Sequence, residues 1–240
     1  MKRHVFTLAP LPDTKAWSIR VPEIVHQIVR VLHLRVGEEV LLVDGKGKSI
    51  IADIVGYSEN SVDVRRQKET QEVDILVPSG PSLYVCAAIL KKDHFEWLTE
   101  KLAEIGITDL VPILSERTIK KDVRLERLQT IAQEAMEQSG QARVMTIHPP
   151  IDLAGAVRML QRHKIDAVVC DTGQGLRSLE TVLRERSAKA VFLGPEGGWT
   201  EEERAFFEQE CRYAKASLGT TVLRGETAGI LAGFCLKKIA

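Results

Sequence analysis

The spacing of apolar and polar positions changes character about a third of the way along the chain. Up to Arg66 the apolar positions come in short runs, some alternating with polar ones and broken by turn residues, which is the pattern of β-strands. Glu38–Val43 reads as a strand, Asp44-Gly45-Lys46-Gly47 as a hairpin turn, Ser49–Val55 as its partner and Ser61–Arg66 as a third strand. After Pro22 a short amphipathic helix places Ile24, Ile28, Val31 and Leu32 roughly on one face. Strands this closely spaced predict a small β-barrel. Lys68–Pro81 is polar and ends in Pro78-Ser79-Gly80-Pro81, which marks a seam. The predicted domains are residues 1–72 and 73–240.

Beyond the seam, strand and helix patterns alternate. Leu83–Leu90 is a buried strand. A helix follows from Asp93, with Glu96 as a capping-box partner, Phe95, Leu98, Leu102 and Ile105 as its apolar stripe, and Gly106 as its stop. Leu110–Leu114, Asp166–Cys170 and Ala190–Leu193 read as strands. Val123–Ser139 is a helix with Leu125, Leu128, Ala132 and Ala135 turned inward and Gly140 ending it. Thr200–Cys211, with Thr200 and Glu203 as a second capping box, and Glu226–Lys238 complete the helices. Such alternation predicts an α/β domain with a parallel sheet.

Composition narrows the function classes. Among 240 residues, 33 Lys and Arg balance 33 Asp and Glu, which excludes a strongly cationic nucleic-acid coat or a polybasic membrane binder. Apolar residues at 44% and charged residues at 28% argue against disorder. The longest unbroken apolar run is the eight residues Leu83–Leu90, well short of the roughly 20 a membrane span needs. The N-terminus carries no apolar stretch of signal-peptide length, so a cytoplasmic protein without membrane partners is expected. Cys86, Cys170, Cys211 and Cys235 form no CxxC pair, and His4, His26, His33, His94, His148 and His163 show no ligand spacing, so no metal is expected.

The chemistry concentrates in glycine-rich loops. In α/β sheets ligands bind beyond the carboxyl ends of the strands. Asp171-Thr172-Gly173-Gln174-Gly175, Gly194-Pro195-Glu196-Gly197-Gly198 and Leu218-Gly219-Thr220-Thr221, the last leading to Arg224-Gly225-Glu226-Thr227-Ala228, occupy such places. Any one of them is most simply a tight turn; three in one half of a chain point to a shared pocket. The helix after the second loop opens Thr200-Glu201-Glu202-Glu203, carboxylates that suit the helix dipole but repel phosphate, and no GxxxxGK[ST] occurs. A phosphate-free ligand held by backbone and apolar groups fits better, S-adenosylmethionine being one. Asp171-Thr172-Gly173-Gln174-Gly175 has the form of the DxGxG turn of Rossmann-type methyltransferases, but only 65 residues follow Gly175, too few for the rest of that sheet.

Leu193-Gly194-Pro195-Glu196-Gly197-Gly198-Trp199-Thr200 with Glu203, followed by Leu218-Gly219 and Val222-Leu223-Arg224-Gly225-Glu226-Thr227-Ala228, resembles the signature of the SPOUT methyltransferases, and within them the ribosomal RNA small subunit methyltransferase E family. Glu96–Gly106, Ser115-Glu116-Arg117, Glu134–Gly140 and Val43–Gly47 are similar to that family too, so the resemblance covers nearly the whole chain. It departs where Gln141 and His33 stand in place of the family's usual arginines. The resemblance implies a PUA-like RNA-binding β-barrel before a SPOUT α/β domain tied in a trefoil knot, a homodimer, and methylation of uridine N3 in 16S ribosomal RNA of the small subunit. It implies an S-adenosylmethionine site of Asp171, Thr172, Leu193, Gly194, Pro195, Glu196, Gly197, Gly198, Leu218, Gly219, Leu223, Arg224, Thr227 and Ala228.

Methyl transfer from a sulfonium is an in-line displacement in which the enzyme chiefly positions the partners. Uracil N3 is a poor nucleophile until it loses its proton. Arg224 is the candidate for stabilising the developing charge, and Glu196 or Glu226 for accepting the proton; a helix-capping role for Glu226 and a loop-bracing role for Glu196 are the plainer alternatives. Arg3, Arg30, Arg117, Lys120 and Arg143 are the candidate RNA phosphate contacts. The competing reading is a non-catalytic RNA-binding assembly factor that keeps the fold, and cofactor binding separates the two.

Overall fold

Alternate residues of Glu39–Val43 (β3) face two different cores. Val40 and Leu42 join Phe6, Ile19, Ile24, Ile28, Ile54, Val62 and Val64, whereas Leu41 and Val43 join Val5, Ile51, Met136 and Ala142. A strand covered on both faces needs an unbroken apolar run, and Val40–Val43 supplies it. Around β3 stand His4–Thr7 (β1), Ala16–Ile19 (β2), Ser49–Ser58 (β4) and Ser61–Arg66 (β5). Their order is β1-β3-β4-β5-β2, with β1 parallel to β3 and the other pairs antiparallel. The predicted turn joins β3 to β4: Asp44 Oδ1 accepts from the Lys46 and Lys48 amides at 2.8 and 2.9 Å, and Gly45 and Gly47 take positive φ.

The computed structural model describes residues 4–67, 80–91, 93–119, 122–211 and 213–240. By packing they divide into two units, one of Met1–Ser79 with Met136–Val144, the other of Gly80–Ala135 with Met145–Ala240. Residues 68–79 of the expected seam lie outside the described residues, as do Arg3 and Lys120. In the first unit the helix after Pro22 is shorter than expected. Pro22–His26 (α1) is α-helical and Gln27–Val31 continues as a π-helix, closed by Leu32 N–H to Gln27 O at 2.8 Å. The wider winding carries Val31 off the apolar stripe, leaving it 58% exposed while Ile24 and Ile28 are buried.

The second unit is the expected α/β sheet. Tyr84–Ala88 (β6), Asp109–Leu114 (β7), Thr146–Ile147 (β8), Ile151–Asp152 (β9), Ala167–Cys170 (β10), Ala190–Leu193 (β11) and Ala214–Ala216 (β12) are all parallel. Their order is β12-β10-β11-β6-β7-β8, with β9 also on β7. The chain enters at β6 in the middle, builds outward through β7, and returns on the other side of β6 with β10 to β12. Strand order therefore reverses beside β6 and β11, the place where open α/β sheets form ligand crevices.

The helices of this unit are His94–Ile105 (α2), Leu125–Ser139 (α3), Leu153–Arg162 (α4), Leu179–Arg186 (α5), Glu201–Phe206 (α6) and Gly225–Ile239 (α7). The last four residues of α3 belong to the first unit. Gly106 ends α2 in the left-handed conformation, as its place in the sequence predicts. The capping box expected at its start is absent. Asp93 is itself helical (φ −85°, ψ −1°), so its carboxylate makes no cap bond, and Glu96 pairs instead with Arg124 and Arg127 at 3.4 and 3.3 Å. At α6 the predicted box is present in both directions. Gly225, Gly229 and Gly233 form one stripe of α7, and the side chains of Leu90, Leu98 and Leu102 fill the space their missing Cβ atoms leave.

Candidate functional site

Three loops beyond β10, β11 and β12 close around one cavity of about 280 Å³ at the carboxyl end of the sheet. Of the residues expected at a cofactor site, Asp171, Thr172, Leu193, Gly194, Pro195, Glu196, Gly197, Gly198, Leu218, Gly219, Leu223 and Ala228 line it. Arg224 and Thr227 do not. Arg224 is exposed at the N-cap of α7, between the lining residues Leu223 and Gly225. A wider hollow of about 870 Å³ shares Thr172, Ser217, Leu218, Gly219, Thr221 and Val222 with it and runs on over α5 and α7.

The first loop is held by a charge pair that sequence spacing does not reveal. Arg204 of α6 donates from Nε and Nη2 to the two Asp171 oxygens at 2.8 and 3.2 Å. Asp171 is 6% exposed and Arg204 25%. The hydrogen bond to Asp171 pushes the guanidinium pKa further up, so this arginine stays charged. Asp171 also takes the Thr172 amide at 2.8 Å, which leaves the carboxylate bracing its own loop.

The second loop rests on Trp199. The indole is buried, donates from Nε1 to the Cys170 carbonyl at 3.0 Å, and packs edge-on against Phe207 at 5.0 Å between centroids. A Cβ on Gly194 would sit 3.1 Å from that ring, so the glycine admits the indole as the pocket floor. Glu196 accepts the Lys91 amide at 3.1 Å, tying the loop to the segment after β6. Arg117, a predicted RNA contact, donates from Nη1 to the Gly197 carbonyl at 2.7 Å and remains exposed. Glu203, buried behind the loop, accepts from the amides of Thr200 and Glu116 at 2.9 and 3.0 Å.

Glu226 is buried in the first turn of α7. It makes no N-cap bond there; its Oε2 lies 3.3 Å from Nδ1 of His94, a residue sequence spacing left without a role. Arg30 is exposed in the first unit, and Arg143 is half-buried there in a β-bridge with Lys46. Cys170, Trp199, Arg204, Ser217, Thr221, Val222 and Gly225 complete the lining that the sequence reading omitted. Trp199 could have been found from the motif that contains it; Arg204 carries no such signal.

The donors fit a phosphate-free cofactor. The lining is glycine backbone, apolar side chains, the hydroxyls of Thr172, Ser217 and Thr221 and two carboxylates, and its one cation, Arg204, is already paired. Among the described residues no group of His, Cys, Asp and Glu is placed to hold a metal ion, and no helix is long and apolar enough to cross a membrane.

Residues 78–237 match the family described as an RNA methyltransferase domain. The chain is 27% identical to ribosomal RNA small subunit methyltransferase E of Bacillus subtilis, over 97% of this chain and 94% of that one. It is 26% identical to the Rickettsia conorii protein of the same name, over 87% and 84%. The crystal structure of ribosomal RNA small subunit methyltransferase E from Neisseria gonorrhoeae, bound to S-adenosyl methionine, superposes with a TM-score of 0.80 at 26% identity, covering 99% of this chain and 98% of that one.

Proposed function

The chain belongs to the RNA methyltransferase family, and on that premise we propose that it methylates N3 of a uridine in 16S ribosomal RNA, using S-adenosylmethionine. One observation carries the reading: three loops far apart in sequence meet in a single cavity that lacks an unpaired cation. The likeness to a solved relative that holds S-adenosyl methionine supports it along the whole chain.

Backbone groups of Gly194–Gly198 and Leu218–Gly219 would hold the cofactor, with Leu193, Leu218, Leu223 and Ala228 as apolar walls and Asp171 and Thr172 at one end. When bound, the cofactor supplies an electrophilic methyl group. Arg224, on the rim, is assigned to the negative charge that spreads over the uracil oxygens as N3 ionises. Thr227, in the first turn of α7, is assigned to cofactor binding. Arg3, Arg30, Arg117, Lys120 and Arg143 are assigned to phosphates. Residues 1–72 are assigned to RNA binding and 73–240 to a knotted transfer domain in a cytoplasmic enzyme.

We propose further that two copies pair through α7 and the third loop. Leu231 and Phe234 are 40% and 54% exposed on that helix, and Val222 is 88% exposed. Apolar area of this kind marks an interface.

Calorimetry with S-adenosylmethionine, combined with mass spectrometry of 16S ribosomal RNA from cells with and without the protein, tests the reading. Binding together with a protein-dependent methyluridine is expected. Specific RNA binding without cofactor binding would mean a non-catalytic assembly factor instead.

A further inference from the structure

The turn between β3 and β4 carries two exposed lysines on a backbone with little freedom. Asp44 Oδ1 holds the Lys46 and Lys48 amides at 2.8 and 2.9 Å. The Gly47 amide donates to the Ala142 carbonyl at 3.0 Å, and the Val144 amide to that of Gly45 at 3.0 Å. Lys46 also pairs with Arg143 in an antiparallel bridge, which sets both side chains on one side of the backbone. Among the described residues no carboxylate pairs with Lys46, Lys48 or Arg143.

This turn forms one side of a hollow of about 760 Å³ within the first unit. Pro10 and Leu11 of the segment after β1, Ile50 of β4 and Arg66 of β5 line the rest of it. That segment is tied down as well: the Leu8 amide donates to the Val43 carbonyl at 2.8 Å, and Arg66 Nη2 to the Pro12 carbonyl at 2.6 Å. The Nε of Arg66 is buried without a partner. Three cations, Lys46, Lys48 and Arg66, face two carboxylates, Asp13 and Asp44, and Asp44 is already engaged by two amides. The hollow is therefore positive, with an apolar wall.

We propose that this hollow is a subsite for one unpaired nucleotide of the RNA substrate, its phosphate held by Lys46 and Lys48 and its base laid against Pro10, Leu11 and Ile50. The assignment rests on the rRNA methylation proposed above and adds a point of attachment to it. A duplex offers its phosphates on a convex ridge, whereas an unpaired nucleotide fits a concavity and has a base face free to lie on side chains. The volume falls in the range of about 300–1,000 Å³ that small-ligand sites span. Because the turn is tied to residues 142–144, the lysine backbone is ordered before RNA arrives, which lowers the cost of binding. Arg143, already assigned to a phosphate, stands beside Lys46 and would take the neighbouring one.

The probe is the small ribosomal subunit from cells lacking the modification, with binding measured between about 50 and 200 mM salt. Losing two single-strand phosphate contacts in Lys46→Gln/Lys48→Gln should flatten the slope of log K against log salt by about 1.4 and weaken binding about 25-fold at about 0.1 M salt. Arg20→Gln/Arg35→Gln removes the same charge from exposed residues of this unit that do not line the hollow, and should lose far less. Melting temperature and calorimetric affinity for S-adenosylmethionine should hold in both. Ultraviolet cross-linking of the wild-type complex, read by peptide mass spectrometry, should attach RNA within residues 9–13 or 46–50.

An unchanged slope in the lysine variant, an equal loss in the two double variants, or cross-links from the first unit that fall outside both segments would each overturn the assignment and leave methylation standing. Saturable binding of uridine or adenosine monophosphate that the lysine variant loses, with subunit binding intact, would overturn it in favour of a free nucleotide. A wild-type protein that binds the cofactor yet neither binds nor methylates subunits defeats the rRNA reading, and this assignment with it.

Discussion

Replacing Arg204 by methionine removes the side chain that pairs with the Asp171 carboxylate in the first glycine loop. Asp171 then keeps only the Thr172 amide at 2.8 Å, in a position where its side chain is 6% exposed. Breaking a fully buried ion pair by deleting one partner costs about 3–5 kcal/mol, and an exposed pair about 0–1 kcal/mol. With Arg204 25% exposed, this pair falls between, and a loss of about 2–3 kcal/mol is expected. Asp171→Asn on its own leaves the guanidinium, the more exposed partner, still bonded from Nη1 to Glu201 Oε1 at 2.6 Å, and should cost less. The double variant no longer buries an unpaired charge. It should recover about 1–2 kcal/mol relative to the sum of the single losses. Urea midpoints for all four proteins, taken at unchanged slope, give the coupling. Calorimetry with S-adenosylmethionine on the same samples should show weaker binding wherever the loop is released. Single losses that add to within about 0.5 kcal/mol would mean the pair is not coupled, and the account of how the loop is held would be wrong.

Gly229→Ala places a methyl group 2.5 Å from Leu98 Cδ1 between two packed helices. Despite a helix-propensity gain of roughly 1 kcal/mol, thermal melts should show a net loss of about 1–2 kcal/mol; a more stable variant would contradict the close approach of α2 and α7. Glu203→Ala withdraws the acceptor from two amides, and chemical denaturation should register about 2 kcal/mol, with faster hydrogen exchange at Glu116 as the local sign. Burial pushes the Cys170 thiol up to about 12, with smaller contributions from Cys235 and Asp171, and burial also raises Cys86. Both should therefore resist iodoacetamide in the folded protein at about pH 8 and react once it is unfolded, as peptide mass spectrometry would show. Phe234→Glu should convert a dimer to a monomer in light scattering, whereas an unchanged mass would remove α7 from the proposed interface.

How far these features are legible in the sequence depends on the range of the interaction that makes them. Asp44–Gly47, Gly106 and the Thr200–Glu203 box are local, set within three or four residues, and each stands where the pattern places it. The glycine loops are legible because their composition and their position after strands coincide. Asp93 fails because its side chain has the right chemistry while its backbone is already helical. Leu153–Arg162 escapes notice because Gly155 interrupts its helix signal, although Ile151 packs where that Cβ would be. Arg204 meets Asp171 from 33 positions away, and His94 meets Glu226 from farther still. Such pairs are products of topology, and no spacing rule encodes them.

Because Met136–Val144 covers the Val5, Leu41, Val43 and Ile51 side of the first sheet, synthesis order has a cost. When Ser79 leaves the ribosome, the five strands have been made but one of their apolar sides is bare. At the ordinary pace of translation it stays bare for several seconds, until the remainder of α3 and the stretch after it emerge. A fragment cut at the apparent boundary would keep that bare side permanently, and should be far less soluble than one to which residues 136–144 are grafted back.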